Sequence, residues 1–268
     1  ATPSVSVVVP MRNEEEFAER TLEALALQDY IGEWEVICVD DRSTDRTKEI
    51  LENFAKTHEH FKVLSLPIDL PPIESPKKRA LESAFKIAKN DILLTIDADC
   101  IPKKSWITSM AGRFVDGIAI VQGPKQNNGS RTMPHLYQKL ETLGYTAMEA
   151  AGFSFGHPLV ASAACLAYKK ELFFAVGGFG DLVHLSSGDD DMLIHKMLKI
   201  PGTKVCYNLD KDAVIETAPV HTWKALFNQR ARWSSNGTNY ESLWYVFLLT
   251  LIYTYYVWMF LSPWFVLF

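Results

Sequence analysis

The chain has 268 residues and a mass of 30.3 kDa, enough for one large hydrophobic core or two small ones. Its formal net charge is −5 and it has no long basic run, which argues against a nucleic-acid partner. The four cysteines, Cys38, Cys100, Cys165 and Cys206, are widely spaced and show no metal-ligand pattern, which indicates reduced thiols in a cytosolic domain.

Strand and helix patterns alternate along the first part of the chain. Apolar runs predict strands at residues 5–9, 35–39 and 62–66, and amphipathic spacing predicts a helix after each of the first two. Asn13, with Glu16 three residues later, predicts the cap of the first helix. Such alternation is typical of βαβ units, so we expect an α/β fold with a mostly parallel central sheet and flanking helices.

A proline-rich loop interrupts this alternation between residues 67 and 76. After it, the pattern predicts a helix over residues 77–89, a strand over 92–96, a helix over 106–115 and a strand over 118–122. Periodicity then weakens: we expect a helix over 132–151, a Gly- and Ala-rich stretch to residue 168, and a short helix over 169–176. Residues 220–240 are amphipathic and contain both polar and aromatic side chains.

Two carboxylates follow the predicted strand over residues 92–96. Asp97 and Asp99 are separated by one small residue, and ligands gather at the carboxyl ends of strands in open α/β sheets. Hard divalent cations prefer carboxylate oxygens, and a cation held there can neutralise a diphosphate. An isolated Asp-x-Asp triplet is more often a turn or a helix cap, so this interpretation depends on features elsewhere in the chain.

Two further acidic groups end or begin predicted elements. Asp40 and Asp41 follow the second strand, where a carboxylate can accept a hydrogen bond from a nucleobase, although a turn that caps the next helix fits equally well. Asp189, Asp190 and Asp191 lie at a predicted helix start, where the helix dipole favours acids. Their mutual repulsion also raises the pKa of at least one of them, as a general base requires.

Basic and aromatic side chains precede the end of the chain. Arg232 offers a forked cation for phosphate and Trp233 a flat face for a sugar, while a basic belt before a membrane helix is the alternative. The basic run 77–79 at a helix start fits either a phosphate contact or, as we favour, a solvated face. His221 is a lone histidine that we do not assign to a metal.

The C-terminal residues 242–268 carry no charged side chain. About 20 apolar residues suffice to cross a bilayer, so this stretch predicts a transmembrane segment that follows a catalytic domain over residues 1–241. A buried C-terminal core helix is the alternative. Since the last residue is apolar, we expect the natural protein to continue beyond Phe268.

These motifs, in this order, resemble the family 2 glycosyltransferases, which have the GT-A fold, and specifically the membrane-bound branch that includes cellulose and hyaluronan synthases. The matching stretches are the opening Val-Val-Val-Pro-Met-Arg-Asn-Glu and the Asp pairs at 40–41 and 97–99. Those that follow are residues 167–179, Gly188 to Asp190, and Gln229-Arg-Ala-Arg-Trp233. Each is weak alone, and the ordered set is specific.

The resemblance implies a role for each matching residue. Asp99 ligates Mg²⁺ or Mn²⁺, and Asp190, with Asp189 as the next candidate, is the general base. The remaining residues border the donor or close over the diphosphate and acceptor: Pro10, Arg12 and Glu14 at the nucleoside, Asp41 at the uracil, Asp97 at the ribose and phosphate, and Gln229, Arg232 and Trp233 at the diphosphate and acceptor. The chain departs from the family pattern where Asp189 replaces the usual Glu and where Arg42 replaces a small residue.

The resemblance therefore implies an inverting transferase that moves a sugar from a UDP-sugar to a hydroxyl of a carbohydrate, glycolipid or lipid-linked acceptor. The alternatives are a sugar nucleotidyltransferase, which would want a Gly- and Lys-rich loop after the first strand, and a non-catalytic membrane scaffold. Lys224, Arg230 and Arg232 precede the predicted membrane segment, so the positive-inside bias puts the catalytic domain on the cytoplasmic face of the inner membrane.

Overall fold

The computed structural model describes residues 2–70, 75–129, 131–185, 188–234, 246–248, 250–255 and 257–258. The strands, in chain order, are β1 Val5–Met11, β2 Trp34–Asp40, β3 Phe61–Ser65, β4 Ile92–Thr95, β5 Cys100–Pro102, β6 Ile118–Gln122, β7 Lys125–Asn127, β8 Leu166–Lys169, β9 Lys204–Tyr207 and β10 Ile215–Thr217. The α-helices are α1 Ala18–Ala26, α2 Thr47–Thr57, α3 Pro76–Ile87, α4 Trp106–Ala111, α5 Met133–Ser154, α6 Lys170–Ala175, α7 Asp191–Leu198 and α8 Trp223–Ser234.

Seven strands form the central sheet in the order β3-β2-β1-β4-β8-β6-β9, and β5, β10 and β7 form a small second sheet. β1 pairs in parallel with β2 and β4, β2 with β3, and β6 with β9. The predicted α/β fold with a mainly parallel sheet is therefore confirmed. Parallel strands end at a common edge, which brings the residues after β1, β2 and β4 together.

One central strand, β8, runs antiparallel to both of its neighbours, β4 and β6. Thr95, at the end of β4, lies opposite Leu166, at the start of β8. The segment that precedes β8 is therefore delivered to the same edge at which β4 ends. The sequence pattern did not predict this strand, because the surrounding Gly- and Ala-rich residues lack a clear period.

The core has two layers, one on each face of the central sheet. Val5, Val7 and Val9 of β1 pack with side chains of α1, α2 and α4, whereas Val8 packs with those of α3, α6 and α7. Successive side chains of a strand point to opposite faces, so a strand with helices on both sides buries side chains on both faces and is mostly apolar, with Ser6 the exception in β1. This explains the continuous valine run at the start of the chain.

The start of the first helix differs from the prediction. Asn13 was expected to cap it, but α1 begins at Ala18 and Asn13 adopts a left-handed conformation with φ of 56°. The Asn13 side-chain oxygen accepts the backbone N–H of Thr44 at 2.8 Å, and the Asn13 N–H donates to Ser43. The capping prediction was wrong because Asn13 joins the loop after β1 to the loop after β2 instead of serving its own helix.

In the described part of the chain, no helix is both long and apolar enough for a membrane crossing. The predicted transmembrane segment 242–268 lies largely outside the described residues, and so does its predicted boundary with the catalytic domain at residue 241. The pieces of it that are described, residues 246–248, 250–255 and 257–258, are helical.

A buried carboxyl group lies on α5, away from the acidic motifs. Glu149 is 2% exposed, and its Oε2 accepts a hydrogen bond from the Tyr207 hydroxyl at 3.2 Å. Burial raises the pKa of Glu149 to about 7, although the positive charge of Lys125 opposes the shift. The folded state therefore binds a proton at this site in a pH range where the unfolded chain has released it.

This site predicts a loss of stability as pH rises. Because the pKa of Glu149 is raised on folding, the free energy of unfolding falls from about pH 4.5 to about 7 and stays lower above it, by about 3 kcal/mol. Glutamine cannot lose a proton, so Glu149→Gln should not show this fall in the free energy of unfolding. The variant should therefore be more stable than the wild type at about pH 8 and not at about pH 5. Urea unfolding at both pH values measures the difference.

The matched control is Glu171→Gln, whose parent side chain is 80% exposed. It should follow the wild type at both pH values. An equal change in stability of the Glu149 variant at the acidic and the alkaline pH would contradict the assigned proton.

Candidate active site

The two carboxylates after β4 lie at the carboxyl edge of the sheet, as predicted. Side-chain oxygens of Asp97 and Asp99 and the Sγ atom of Cys100 lie within 4.8 Å of one another. Both aspartates are half-buried, and burial together with the charge of Asp97 raises the pKa of Asp99. An acidic pair that is partly withdrawn from water and destabilised by mutual repulsion favours a bound cation.

A lysine that the sequence analysis did not assign to the site joins two of the acidic motifs. Lys77 Nζ lies 2.7 Å from Asp97 Oδ1 and 2.9 Å from Asp189 Oδ2. Burial opposes its charge, but the two carboxylates raise the pKa of Lys77 well above its ordinary value. The same ammonium group offsets the effect of burial on Asp189 and holds the pKa of that carboxyl below its usual range.

The first turn of α3 fixes this lysine. Ser75 caps the helix, Pro76 occupies its first position, and Lys78 is buried with its ammonium donating to the carbonyls of Leu182 and Leu185. Pro is favoured at this position because the N–H that it lacks has no partner within a helix. The basic run 77–79 is thus not a solvated face, contrary to our expectation, because two of its ammonium groups bind the segment that leads to Asp189.

Asp190 forms the N-cap of α7, the helix start that the sequence predicted. Its Oδ1 accepts the N–H of Asp191 at 2.9 Å and its Oδ2 the N–H of Ala163 at 3.3 Å. Burial raises the pKa of Asp190 well above its ordinary value, and the charges of Asp191 and Asp189 add to the shift. A carboxylate that is held in place and has a raised pKa suits a general base.

The segment before β8 connects Asp190 to the strand that carries the acidic pair. Thr95 Oγ1, in β4, donates to the carbonyls of Ala163 at 2.7 Å and Leu166 at 3.1 Å. Ala163 in turn donates its N–H to Asp190. The position of Asp190 is therefore set from β4 through one backbone residue, and from α3 through its neighbour Asp189.

The loop after β1 contributes Pro10, Arg12 and Glu14. Pro10 is half-buried at the end of β1 and Arg12 is exposed. Glu14 donates its N–H to Thr47 Oγ1 at 2.8 Å. Burial raises the pKa of Glu14 to about 7, and the charges of Asp99 and Asp97 contribute, so Glu14 shares the electrostatic field of the acidic pair.

Asp40 and Asp41, at the end of β2, have different surroundings. Asp40 Oδ1 accepts the N–H of Ser43 at 3.1 Å, which is the turn that the sequence also allowed. Asp41 is buried, and its Oδ1 accepts a hydrogen bond from Arg42 Nε at 2.8 Å. A second arginine, Arg79 from α3, places its Nη2 3.9 Å from the same oxygen.

The C-terminal basic and aromatic motif lies on α8. Arg230 forms an ion pair with Glu141 of α5. Its Nη1 also donates a hydrogen bond to Gln229 Oε1 at 2.6 Å. Two cations lie over the ring of Trp233. The Arg230 guanidinium is 4.1 Å from the ring centre, and Lys125 Nζ is 5.3 Å from it. Lys125 Nζ also donates to Ser162 Oγ at 2.9 Å. Arg232 is exposed.

The structure therefore links three of the predicted motifs through side chains that sequence reasoning missed. Lys77 joins the Asp97 motif to the Asp189 motif, and Lys125 connects Trp233 to Ser162, next to the residue that binds Asp190. Asp41 and Arg12 lie on the part of the edge formed by the ends of β1 and β2. The signal for Lys77 was its place at a helix start after a proline, but spacing alone did not reveal its partners.

A cavity of about 330 Å³ opens beside Asp99, between the first turns of α1 and residues 216–221. Arg20, Glu216 and His221 lie on its walls. This volume falls at the lower end of the range for small-molecule sites. Asp99 therefore borders a space that can admit a small polar ligand.

The residues around this space fit a divalent cation. Two carboxylates supply hard oxygen ligands, and the raised pKa values of Asp99 and Glu14 record negative charge that a cation would neutralise. The nearby Cys100 thiol is fully buried, and its pKa lies well above its ordinary value, so it is a poor ligand for a hard ion. The donor set favours Mg²⁺ or Mn²⁺ over softer metals.

Comparisons with known sequences agree on one family. The sequence model of Glycosyl transferase family 2 matches residues 6–174, more than half of the chain. The chain is 26% identical over 253 residues to the probable glycosyltransferase YdaM of Bacillus subtilis, covering 90% of this chain and 56% of the relative. It is 24% identical over 239 residues to an N-acetylglucosaminyltransferase of Rhizobium meliloti, covering 87% and 55%. The chain thus spans a little over half the length of these curated relatives.

Solved structures share the fold. The mannosyltransferase PcManGT of Pyrobaculum calidifontis, in complex with GDP-Man and Mn²⁺, superposes with a TM-score of 0.66 at 21% identity, covering 87% of this chain and 61% of that one. S. aureus TarS 1-349 in complex with UDP-GlcNAc superposes with a TM-score of 0.57 at 21% identity, covering 82% and 59%. At this identity, the likeness establishes the GT-A architecture.

The acidic pair predicts a specific thermal response to cations. Mn²⁺ should raise the melting temperature of the wild type, because a ligand that binds the folded state alone stabilises it. Asp99→Asn should lose most of that rise, since it removes a charged ligand. Thermal unfolding with Mn²⁺ and with EDTA measures the shift. Asp181→Asn, an exposed acid outside the cluster, should respond as the wild type does. An unchanged Mn²⁺ shift in the Asp99 variant would place the ion elsewhere.

Proposed function

Because the chain belongs to glycosyl transferase family 2, we propose that it transfers a sugar from a nucleoside diphosphate sugar, with UDP as the nucleotide, to an acceptor hydroxyl with inversion. The observation that carries this proposal is the bridge of Lys77 between Asp97 and Asp189. It supports a single site in which the donor-side acids and the base-side acids act on one substrate pair.

In this proposal, Asp190 is the general base. Its carboxylate takes the proton of the acceptor hydroxyl as that oxygen attacks the anomeric carbon and the bond to the diphosphate breaks. The N–H groups of Ala163 and Asp191 orient the carboxylate. One displacement without a protein nucleophile inverts the anomeric centre. Asp189 has a different role, because it forms an ion pair with Lys77, which also pairs with Asp97.

A second group of residues is proposed to bind the nucleoside diphosphate, which is the leaving group. Asp99, with Asp97 beside it, would hold Mg²⁺ or Mn²⁺, which when bound supplies positive charge for the departing diphosphate. Lys77 adds a second positive charge at the same place. Pro10, Arg12 and Glu14 border the nucleoside, and Asp41 accepts the N–H of the uracil. Solved structures with the same fold include complexes with UDP-GlcNAc and GDP-Man, which supports a nucleotide-sugar donor.

On the acceptor side, the proposal assigns Gln229, Arg232 and Trp233 of α8. Trp233 presents an aromatic face, and sugars stack on such faces. Lys125 lies between this ring and Ser162, so the acceptor motif has a direct contact with the segment that orients the base. A carbohydrate, a glycolipid or a lipid-linked sugar fits this arrangement.

We also propose that the domain lies against a membrane and that residues 242–268 enter it. Met133, Leu136, Leu140 and Leu143 recur with helical spacing along one exposed face of α5. The exposed aromatic side chains Trp223 and Phe227 lie on the adjacent α8. Exposed apolar side chains continue in the next described residues, namely Phe247, Leu251, Tyr253, Tyr255 and Trp258. A bilayer is the partner that suits an apolar surface next to a long uncharged segment.

The base assignment predicts a separation of rate from binding. Asp190→Asn should lower turnover by about 10²–10⁴-fold, because general-base catalysis contributes that much, while UDP affinity changes little. In the wild type, turnover should fall as pH falls, because the raised pKa of Asp190 leaves less of the carboxylate ionised. Release of UDP from a panel of UDP-sugars measures the rate, and calorimetric titration with UDP measures the affinity.

Asp181→Asn serves as the control and should keep both rate and affinity. If UDP affinity falls in parallel with the rate, Asp190 belongs to the donor site and Asp189 becomes the candidate base. If the wild type releases no UDP with any sugar or acceptor, the proposed reaction is wrong.

The membrane proposal predicts a defined orientation. Lys224 and Arg232 lie within about 20 residues of residue 242, where basic residues favour the cytoplasmic side. Arg230, which the sequence analysis counted with them, is paired with Glu141. A reporter active in the cytosol, fused before Ala1, should be active, and one active outside the cell should be silent. Activity of the outside reporter alone would overturn the orientation.

A further inference from the structure

Lys125, at the start of β7, places a positive charge beside Trp233. Its Nζ lies 5.3 Å from the centre of the Trp233 ring and donates a hydrogen bond to Ser162 Oγ at 2.9 Å. The side chain is half-buried, and among the described residues no carboxylate forms an ion pair with it. An ammonium group has three N–H donors, so Lys125 keeps hydrogen-bonding capacity for a ligand.

The acid whose charge acts on Lys125 from α5 does not offset the ammonium fully. Glu149 is buried, and its Oε2 accepts a hydrogen bond from Tyr207. Because burial raises the pKa of Glu149 to about 7, a large part of this carboxyl is neutral at neutral pH. A cation that is partly withdrawn from water without a close carboxylate costs free energy, which an anionic ligand would offset.

The backbone around Lys125 is fixed to the segment that precedes β8. Gly123 donates its N–H to the carbonyl of Cys165 at 2.9 Å, and it approaches the Cys165 side chain too closely for a side chain of its own. Gln122 Oε1 accepts the N–H of Ser162, and its Nε2 donates to the Ser162 carbonyl, both at 3.2 Å. The ammonium group is therefore held in advance of any ligand, which lowers the entropic cost of binding.

The charge of Lys125 lies on the side of the site that the proposed function gives to the acceptor. Lys125 binds Ser162, and the next residue, Ala163, donates its N–H to Asp190. Consecutive Cα atoms are about 3.8 Å apart. An anionic group at Lys125 and a hydroxyl at Asp190 therefore approach neighbouring residues of one segment, as two groups of the same sugar or polyol unit can. The donor side has its own cation, Lys77.

We propose that Lys125 selects an acceptor whose hydroxyl-bearing unit also carries an anionic oxygen group, either a phosphate or a carboxylate. This inference rests on the proposed function, which assigns Trp233 and Asp190 to the acceptor, and it narrows the acceptor to a charged one. The ammonium binds the anionic group as a point charge, and the face of Trp233 attracts the same ammonium and keeps it in place. Lys125 is thus a specificity-determining residue of this site.

The test measures the binding of small probes to the full chain in the presence of UDP and Mn²⁺, so that phosphate probes do not occupy the donor site. Calorimetric titrations compare glucose with glucose 6-phosphate and glucuronate, and glycerol with glycerol 3-phosphate. The proteins are the wild type, Lys125→Met, which keeps an apolar stem without the charge, and Lys125→Arg, which keeps the charge. Lys139→Met is the matched control, because it removes an exposed charge from α5.

The wild type should bind at least one anionic probe about 10- to 100-fold more tightly than its neutral counterpart, the value of a charge-assisted hydrogen bond. Lys125→Met should lose this preference, whereas Lys125→Arg and the Lys139 control should keep it. The stronger ligand of glucose 6-phosphate and glucuronate identifies the anionic group. Melting temperatures verify that the variants fold, and their affinity for UDP should match that of the wild type.

Equal binding of neutral and anionic probes, or a preference that survives in Lys125→Met, would overturn the selection. A parallel loss of UDP affinity in Lys125→Met would assign the ammonium to the diphosphate of the donor and would also overturn it. If the wild type binds UDP and releases it from a UDP-sugar but shows no preference for charge, this inference fails and the proposed function stands. If the wild type neither binds nor releases UDP, the proposed function fails, and this inference fails with it.

Discussion

The arrangement of the active site depends on one shared positive charge, the ammonium group of Lys77 between Asp97 and Asp189. Two like charges about 4 Å apart near a protein surface repel by about 4 kcal/mol, so a cation between carboxylates from two distant parts of the chain offsets a substantial repulsion. Lys77 supplies that cation. The cap and the proline at the start of α3 fix Lys77, and Lys78 in the same turn binds the segment that carries Asp189.

The sheet topology places this charge where it is needed. Parallel β1, β2 and β4 end together and bring Glu14, Asp41 and Asp97 to one edge. Antiparallel β8 then brings Ala163 to the same edge from the opposite direction. A parallel strand in this position would carry the preceding segment to the far end of the sheet. The orientation of β8 is therefore the geometric reason that Ala163, which binds Asp190, lies at the edge that carries the acidic pair.

Much of the fold and the acidic motifs could be predicted from the sequence, because strands with two covered faces and acids after strands leave local patterns. The predicted elements that failed depend on distant partners. Asn13 has the local signature of a helix cap, yet Thr44 provides a competing hydrogen bond from the next loop. Lys78 lies in a basic run that is typical of an exposed helix start, yet it is buried and its ammonium donates to the carbonyls of Leu182 and Leu185. No local pattern shows a partner that is a hundred residues away.

The residues proposed for the donor side and those proposed for the acceptor side come from different parts of the chain. Asp41, Lys77, Asp97 and Asp99 come from the first part of the chain, within the stretch that matches the family, whereas Asp190 and Trp233 follow residue 174. Under the proposed function, a substitution after residue 174 would therefore act mainly on the acceptor side. The contact between Lys77 and Asp189 crosses this division, so it is a place where two such segments, exchanged between proteins, must remain compatible. The Lys77–Asp189 ion pair thus joins the part of the chain that matches the family model to the part that follows it.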